Sequence, residues 1–332
     1  MTDKLKGDIE TVEGPAAENN LHGGEFSRDD LRRRPIYPRI RTQKGRKGSK
    51  GRGYRLNIVL FVLTVITTLF AGASFYVGLW DILKEPAKLL LGVPFSISIL
   101  SILLAHEMGH YITSRRNRVD VSLPYFIPAP TLFGTLGAVI KMRSPIAKKN
   151  TLFDIGAAGP IAGLVVAIPV VVLGLAKSKF VDIPAGGSDE IGLIFGDSIL
   201  FSVISKAVLG KTPEGQYIWL HPIGFAGWVG FLVTALNLMP IGQLDGGHIA
   251  YAVFGRRQRY VARGFLLVLI FMGVVFYPGW LIWAILLILI GIDHPPIMDG
   301  DIPLDKKRVA VGILTFLIFI LTFIPNPVRM DM

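Results

Sequence analysis

The decisive stretch of the chain reads Leu104-Ala105-His106-Glu107-Met108-Gly109-His110 and lies near the end of an apolar segment, residues 89–113. On a helix, His106 and His110 are one turn apart on one face, so both imidazoles can bind one metal ion. Glu107 follows the first histidine, where its carboxylate can accept a proton from a water on that metal. Ionisable groups inside an apolar span cost about 2.5 kcal/mol or more each. The stretch therefore predicts a functional metal site within a membrane.

The composition is that of a multi-span membrane protein. The 332 residues are 51% hydrophobic and only 18% charged, which is outside the range of ordinary soluble domains. The chain contains no cysteine, which excludes thiolate zinc sites and a cysteine nucleophile. Any metal must therefore be held by His, Asp or Glu.

The net charge of +11 is concentrated before the first apolar segment. Residues 31–56 contain eleven Lys and Arg and no acid, which is typical of a juxtamembrane segment that contacts anionic lipid. No folded basic domain with interleaved aromatic residues accompanies this charge, so we expect no nucleic-acid partner. We predict a disordered basic cytosolic tail at residues 1–56 and a membrane-embedded domain at residues 57–332.

Seven apolar segments are candidates for helices that cross the bilayer, which requires about 20 residues. They are residues 58–79, 89–113, 152–176, 222–239, 264–277, 280–292 and 309–324. The fifth and sixth are short and are predicted to form a helical hairpin that turns at Pro278-Gly279. Residues 191–209 are interrupted by polar residues and are predicted to be interfacial or re-entrant. The sequence thus predicts an all-α polytopic membrane protein with about six to seven transmembrane helices.

Five basic clusters fall on one side of this arrangement, which the positive-inside rule assigns to the cytosol together with the N-terminus. They are the tail, Arg115–Arg118, and residues 141–149, 256–263 and 306–308. Because no plastid transit peptide is evident, we expect the plasma membrane of a prokaryote.

Residues 123–143 are predicted to form a short membrane-associated β-hairpin. Their prolines exclude a continuous helix, and the glycines and β-branched residues that follow favour short strands. Irregular backbone at membrane depth is stable only beside protein or a water-filled cavity. We therefore expect this segment to line a cavity.

A catalytic zinc commonly has three protein ligands, so a further His, Asp or Glu near another apolar segment is expected. Asp245 is the strongest candidate, because it follows the fourth segment, where Pro240 and Gly242 break the helix. Its alternative role is the N-cap of a helix that starts near His248.

Three further polar residues have more than one interpretation. His248 could be a ligand, but we favour a role in which it contacts a metal ligand or stabilises the fold without binding the metal. Asn237 could donate a hydrogen bond to a substrate backbone or oxyanion, or could satisfy backbone groups freed by Pro240. His294 lies at the end of an apolar segment, where an interfacial structural role is expected.

These residues together resemble the site-2 proteases, which cut transmembrane or membrane-proximal segments of other proteins. The resemblance covers about residues 95–251 and is carried by His106-Glu107-Met108-Gly109-His110, Gly156-Ala-Ala-Gly-Pro160, Asn237, Pro240 and Leu244-Asp245-Gly246. It implies a three-helix catalytic core at about residues 89–254, one zinc ion per chain held by His106, His110 and Asp245, and Glu107 as general acid and base. It also implies an intramembrane zinc endopeptidase whose partners are transmembrane substrates, mainly single-span ones.

The chain is most similar to the branch of that family that includes plant plastid members. This similarity rests on Pro124-Tyr-Phe-Ile-Pro128, Phe133-Gly-Thr-Leu-Gly137 and Asp293-His-Pro-Pro296. The chain leaves no room for an inserted PDZ domain or a C-terminal CBS pair, so substrate selection by such domains is in doubt. The hairpin could instead offer a strand edge to an extended substrate, with Gly134, Gly137 and Val139 as candidate contacts.

Two other classes of protein remain open on the sequence alone. A zinc transporter or metal sensor could also place His and Asp inside a helical bundle, but would not need Glu107. A different membrane zinc protease would need a glutamate ligand on a downstream helix. Only Glu190 and Glu214 follow the motif, both in a predicted polar loop, which weakens this second alternative.

Overall fold

A computed structural model of the protein describes residues 50–182, 193–295, 297 and 303–330. Most of the predicted tail, residues 1–49, lies outside the described residues. The first helix begins at Lys50, so residues 50–56, which the sequence assigned to the tail, are helical.

The described residues are mainly helical. The helices are α1 (Lys50–Ala73), α2 (Leu79–Lys84), α3 (Val93–Arg116), α4 (Lys149–Ala176), α5 (Ile199–Leu209), α6 (Pro222–Asn237), α7 (Asp245–Phe254), α8 (Gln258–Val275), α9 (Gly279–Ile290) and α10 (Lys306–Thr322). One 3-10 helix (Pro86–Gly92) leads into α3, and another (Gly255–Arg257) joins α7 to α8.

Four helical stretches of the described residues are long and apolar enough to cross a membrane. They are Tyr54–Ala73, Pro86–Arg116, Lys149–Ala176 and Asp245–Val275. The first three correspond to predicted segments. The fourth differs from the prediction, because α7 and α8 follow each other with only a 3-10 turn between them, whereas the sequence placed a span at residues 264–277 alone. Helices α6 and α9 are apolar but shorter than these four stretches. By length and composition the described residues therefore contain four candidate spans, and the expected six to seven are not established.

Six short strands accompany the helices in the part of the chain that the structure describes. β1 (Tyr125–Pro128) pairs antiparallel with β2 (Thr135–Val139), which is the predicted hairpin. Two further antiparallel pairs, β3 (Lys179–Asp182) with β5 (Gln216–Trp219) and β4 (Leu193–Phe195) with β6 (Val328–Met330), were not predicted. An all-α assignment is wrong for these segments, because strands of three or four residues carry too short a pattern to reveal partners far along the chain.

Helices α3, α4 and α6 pack against one another through glycines. A Cβ on Gly109 of α3 would lie 2.4 Å from the carbonyl oxygen of Ala158, and one on Gly174 of α4 would lie 2.1 Å from the Cα of Gly224. Small residues at such contacts let helix backbones approach closely, which is how membrane helices gain packing contacts. The three helices therefore form a tight core that can fix side chains at their interfaces.

The β-hairpin is fastened to α1 by side-chain hydrogen bonds. The Thr67 hydroxyl donates to the carbonyl of Gly134 at 2.6 Å, and the Asn57 amide donates to the carbonyl of Pro124 at 2.7 Å. Gly134 has a φ of +71°, and a Cβ there would lie 2.6 Å from the Thr67 carbonyl oxygen. The hairpin is thus held at fixed depth beside α1 and α3.

Helix α10 is tied to α4 by an ion pair. Arg308 donates to both carboxylate oxygens of Asp154, at 2.8 and 2.6 Å. The pair joins the last described helix to the helix at the centre of the core.

Candidate metal centre

Three ligand atoms meet at the interface of α3 and α7. The Nε2 atoms of His106 and His110 are 3.1 Å apart, and each lies 3.2 Å from Oδ2 of Asp245. Both histidines are buried, and only 14% of the Asp245 side chain is exposed. The structure therefore brings together the three residues that the sequence proposed as ligands.

The spacing of these atoms fits a zinc ion. Ligand atoms bound tetrahedrally at 2.0–2.1 Å lie about 3.3 Å from one another, which matches the three sides of this triangle. The Nδ1 of His110 lies 2.8 Å from the carbonyl oxygen of Ile155, which can only accept a hydrogen bond. A neutral His110 then carries its lone pair on Nε2, facing the triangle, as metal coordination requires.

Helix α4 makes room for both imidazoles through glycines. A Cβ on Gly159 would lie 2.0 Å from Nε2 of His110, and one on Gly163 would lie 3.2 Å from the Cβ of His106. Gly159, in the Gly156-Ala-Ala-Gly-Pro160 stretch, and Gly163 thus leave space on α4 for the two imidazoles. These contacts explain why glycines occupy the two positions.

Asp245 is presented by a tight turn after α6. The N-cap of α7 is Leu244, and Asp245 is the first helical residue, with its carboxylate on the two histidines. The alternative role of Asp245 as an N-cap for a helix starting near His248 is therefore wrong. A Cβ on Gly246 would lie 2.0 Å from the Leu238 carbonyl oxygen, so the turn folds back closely upon itself.

Glu107 is buried beside the three ligand atoms. Only 6% of the residue is exposed, and its carboxylate interacts electrostatically with His110 and Asp245. The backbone N–H of Ile140, just after β2, lies within hydrogen-bonding reach of this carboxylate. The hairpin therefore lies beside the site, and its backbone approaches the candidate general base.

The free edge of the hairpin is defined by its hydrogen bonds. Ser122 N–H donates to the carbonyl of Lys141 and Arg143 N–H donates to that of Asp120, so the backbone groups of Lys141 and Arg143 point toward the segment that leads into β1. Backbone groups alternate along an antiparallel strand, and those of Ile140 and Met142 point the opposite way. In the part of the chain that the structure describes, no strand pairs with this edge.

The three predicted substrate contacts do not face this edge. The carbonyl of Gly134 accepts from Thr67. Gly137 N–H donates to the Thr135 hydroxyl. Val139 lies opposite Tyr125 in the ladder and has the same orientation as Lys141. The direction of each N–H depends on pairing that the pattern alone does not show, and substrate contact at these three residues stays a prediction.

His248 and Asn237 stand near the turn without belonging to the metal group. His248 Nδ1 lies 2.8 Å from Nε2 of His294, so among the described residues its partner is a histidine rather than the three-ligand cluster. In the described part of the chain, the Asn237 side chain forms no hydrogen bond, and the Pro240 carbonyl accepts from Gln258 instead. A bond from Asn237 to a backbone group freed by Pro240 is therefore not seen among the described residues, and its role as a donor to a substrate stays a prediction.

His294 has more neighbours than an interfacial position would provide. It is 9% exposed, it stacks on Tyr251 with ring centroids 4.4 Å apart, and burial lowers its pKa. The Asp293-His-Pro-Pro296 motif was the one signal for this residue in the sequence, and it gave no role.

Comparison with known protein families adds the last observation. The sequence profile of peptidase family M50 matches residues 94–278. The chain belongs to this family. The match includes the histidine motif, α4 and the Asp245 turn, and it confirms the resemblance to the site-2 proteases.

Relatives of this M50 chain include three plant proteins. Over 241 residues the chain is 34% identical to "Probable zinc metalloprotease EGY1, chloroplastic" of Oryza sativa subsp. japonica, with 70% of this chain and 40% of the relative covered. It is 28% identical over 291 residues to the Arabidopsis thaliana protein of the same name (82% and 53% covered). It is 30% identical over 244 residues to "Probable zinc metalloprotease EGY2, chloroplastic" of Arabidopsis thaliana (71% and 42% covered). No solved structure matches the chain.

These relatives bear on two expectations. They confirm the similarity to the plant plastid branch of the family. Because they are named chloroplastic, they do not support the expected prokaryotic plasma membrane with a cytosolic N-terminus. The chain spans about half the length, or less, of these three relatives.

Proposed function

We propose that the chain is an intramembrane zinc endopeptidase that hydrolyses peptide bonds within or near transmembrane segments of other proteins. His106, His110 and Asp245 hold the zinc ion, and Glu107 is the general acid and base. The observation that carries this proposal is the triangle of three ligand atoms 3.1–3.2 Å apart, buried inside candidate membrane spans with Glu107 beside it. The plant relatives named as zinc metalloproteases support the same assignment.

The chemistry follows from the position of Glu107. A zinc ion bound by the triangle supplies Lewis-acid activation of water and of the scissile carbonyl. The Glu107 carboxylate takes the proton from the attacking water and returns it to the leaving amine, so one side chain serves both transfers. Burial of this carboxylate keeps bulk water away from the proton it carries. Asn237 remains a proposed donor to the substrate backbone or oxyanion.

We infer that the substrate binds as an added strand at the free edge of the hairpin. A transmembrane helix hides its peptide bonds in its own hydrogen bonds, so cleavage requires an extended segment. The outward carbonyl of Ile140 and the outward N–H and C=O groups of Met142 can pair with such a segment. The position of Ile140 beside Glu107 would then set a peptide bond close to the metal.

The membrane arrangement completes the proposal. Single-span proteins are the proposed substrates in regulated intramembrane proteolysis, because one unwound helix can supply the extended segment. We propose that α6, α9 and α10 also cross the membrane, which gives six to seven spans, and that the basic clusters share one side with the N-terminus. The basic tail is proposed to contact anionic lipid. A prokaryotic plasma membrane remains a prediction from the sequence.

Cleavage of a panel of single-span substrates by the full chain in detergent tests the activity. Glu107→Gln is compared with wild type and with Glu85→Gln, a matched change at an exposed glutamate paired with Lys88. Zinc bound per chain is measured in all three. We expect zinc in each and cleavage in all but Glu107→Gln, with a rate loss of about 100-fold or more for a lost general base.

The same data separate the alternatives. A zinc transporter would retain metal flux into proteoliposomes after Glu107→Gln, because transport needs no general base. Cleavage by Glu107→Gln at the wild-type rate would refute the proposed role of Glu107. Absence of zinc from the wild type would refute the metal site.

Strand addition has its own test. Met142→Pro removes an outward N–H that has no contact with Glu107, whereas Lys141→Pro removes an N–H that donates to the Ser122 hydroxyl inside the hairpin. We expect Met142→Pro to abolish cleavage while zinc is retained, and Lys141→Pro to lower thermal stability. A folded, zinc-loaded Met142→Pro protein that cleaves normally would exclude pairing at this edge.

A further inference from the structure

The loop that follows α9 docks on the turn that carries Asp245. Gly242 N–H donates to the carbonyl of Ile292 at 2.8 Å. Gly242 has a φ of +55°, and a Cβ there would lie 2.2 Å from the Gly291 carbonyl oxygen. The two segments are in backbone contact, so the position of one depends on the other.

A buried glutamine from α8 joins the same two segments. The Gln258 side chain donates to the Pro240 carbonyl and accepts from the backbone N–H of His294, both at 3.4 Å. Gln258 is 1% exposed. An amide in this position satisfies a carbonyl of the turn and an N–H of the loop at once, which fixes their separation.

The hydrogen bonds of His294 determine where its protons lie. Its Nδ1 is 2.7 Å from the carbonyl oxygen of Pro295, which can only accept, so Nδ1 carries a proton. Burial lowers the pKa of His294, which keeps the ring neutral at pH 7 and leaves its Nε2 as an acceptor. The Nδ1 of His248, 2.8 Å away, must then be the donor.

The consequence reaches the metal centre through α7. A neutral His248 that donates from Nδ1 has its lone pair on Nε2. His248 lies one turn after Asp245, its imidazole interacts electrostatically with Asp245 and His110, and its Cβ is 3.0 Å from the position of a Cβ on Gly156. The ring is therefore confined between α4 and the loop, and its Nε2 is left as a hydrogen-bond acceptor.

We propose that His294 is a positioning residue for the metal centre: it fixes His248 in the Nδ1–H tautomer and, with its loop, holds the turn that presents Asp245. The role of His294 in catalysis rests on the proposed protease function, whereas its effect on the tautomer of His248 does not. This assigns a task to the Asp293-His-Pro-Pro296 motif. If His294 only stabilised the fold, any side chain that filled the same space and stacked on Tyr251 would replace it. A hydrogen-bond acceptor facing His248 would then not be required.

The test compares two substitutions at His294 with a neighbour. His294→Leu removes the acceptor, and His294→Gln returns an acceptor near the position of Nε2. Asp293→Asn is the matched control, because it disturbs the same loop through an exposed ion pair with Arg263 and leaves the histidines alone. Each full-chain variant is assayed for zinc per chain, kcat and KM for a single-span substrate, melting temperature, and histidine tautomers by 15N NMR.

We expect His294→Leu to lower kcat by up to about 10-fold with zinc retained, because direct partners of metal ligands are worth about 10- to 100-fold and His294 acts through His248, which is not a ligand. The NMR spectrum should change from a single Nδ1–H form of His248 to a mixture. His294→Gln should recover most of the kcat and the single tautomer, and Asp293→Asn should match the wild type.

Three results would overturn the proposal. One is a wild-type kcat in His294→Leu. Another is equal losses in His294→Leu and His294→Gln that follow their melting temperatures, which would show a structural role. The third is a wild-type spectrum in which His248 is protonated on Nε2. Failure of the wild type to cleave any substrate would refute the proposed protease function, while the tautomer measurement would still decide the role of His294.

Discussion

Gly159→Ala is the sharpest perturbation of the metal centre that leaves all of its ligands in place. The added Cβ would lie 2.0 Å from Nε2 of His110, whereas ordinary contacts begin at 3.4 Å. The ring or the helix must therefore move by about 1.4 Å, far beyond the deviation of about 0.2 Å that metal–ligand distances tolerate. Overpacking of this kind costs about 1–3 kcal/mol, and a displacement of about 1 Å can lower a rate 100-fold.

Two other glycines give a graded series for this experiment. A Cβ on Gly163 would lie 3.2 Å from the Cβ of His106, which requires a shift of a few tenths of an ångström. Gly264 on α8 is exposed and a Cβ there meets nothing within 4 Å, so alanine should be neutral or stabilising by up to about 1 kcal/mol.

The assay measures zinc per chain by mass spectrometry, cleavage of a single-span substrate, and thermal unfolding in detergent. Zinc content and activity should fall most in Gly159→Ala, modestly in Gly163→Ala, and not at all in Gly264→Ala. A Gly159→Ala protein with one zinc per chain and wild-type turnover would show that α4 does not confine His110. Equal losses in all three variants would indicate general intolerance of alanine rather than a specific clash.

Three further predictions concern stability. Chelation of zinc should lower the melting temperature, and added zinc should restore it. At a zinc concentration 100-fold above Kd, the gain in the free energy of unfolding should be about 2.7 kcal/mol. An unchanged melting curve would contradict a bound metal. Thr67→Val should destabilise the hairpin by about 1 kcal/mol through loss of the hydrogen bond to Gly134, seen as faster proteolysis between β1 and β2, whereas Thr67→Ser should not. Arg308→Gln should cost about 1.5 kcal/mol, because a charge-assisted bond to the partly exposed Asp154 is lost, and equal melting of the two proteins would show that this pair contributes nothing.

The metal ligands were the most predictable part of the molecule. His106 and His110 are local to one helix, so their spacing alone defines their geometry. Asp245 was found because a carboxylate after a broken apolar segment has few other uses. The contact from the Ile155 carbonyl was beyond prediction, since every residue carries that group and only packing selects one.

The errors arose where distant parts of the chain meet. The pairs β3–β5 and β4–β6 join short segments separated by more than 30 residues, and nothing local marks them. The orientations of Val139 and Ile140 depend on the pairing of β2 with β1, which the residue pattern alone does not show. His294 was read as interfacial since its partner, His248, lies 46 residues away in sequence.

The glycines of α4 that contact the site also affect the order in which the molecule can be assembled. Gly156, Gly159 and Gly163 each weaken an isolated helix by up to about 1 kcal/mol, and Pro160 removes a helical hydrogen bond. Helix α4 thus depends on α3 for its stability, and the histidines depend on α4 for their orientation. Asp245 is synthesised more than one hundred residues after His110. Full coordination of the metal must therefore wait until α3, α4 and the Asp245 turn have docked, so the three ligands come together only when the fold encloses the site.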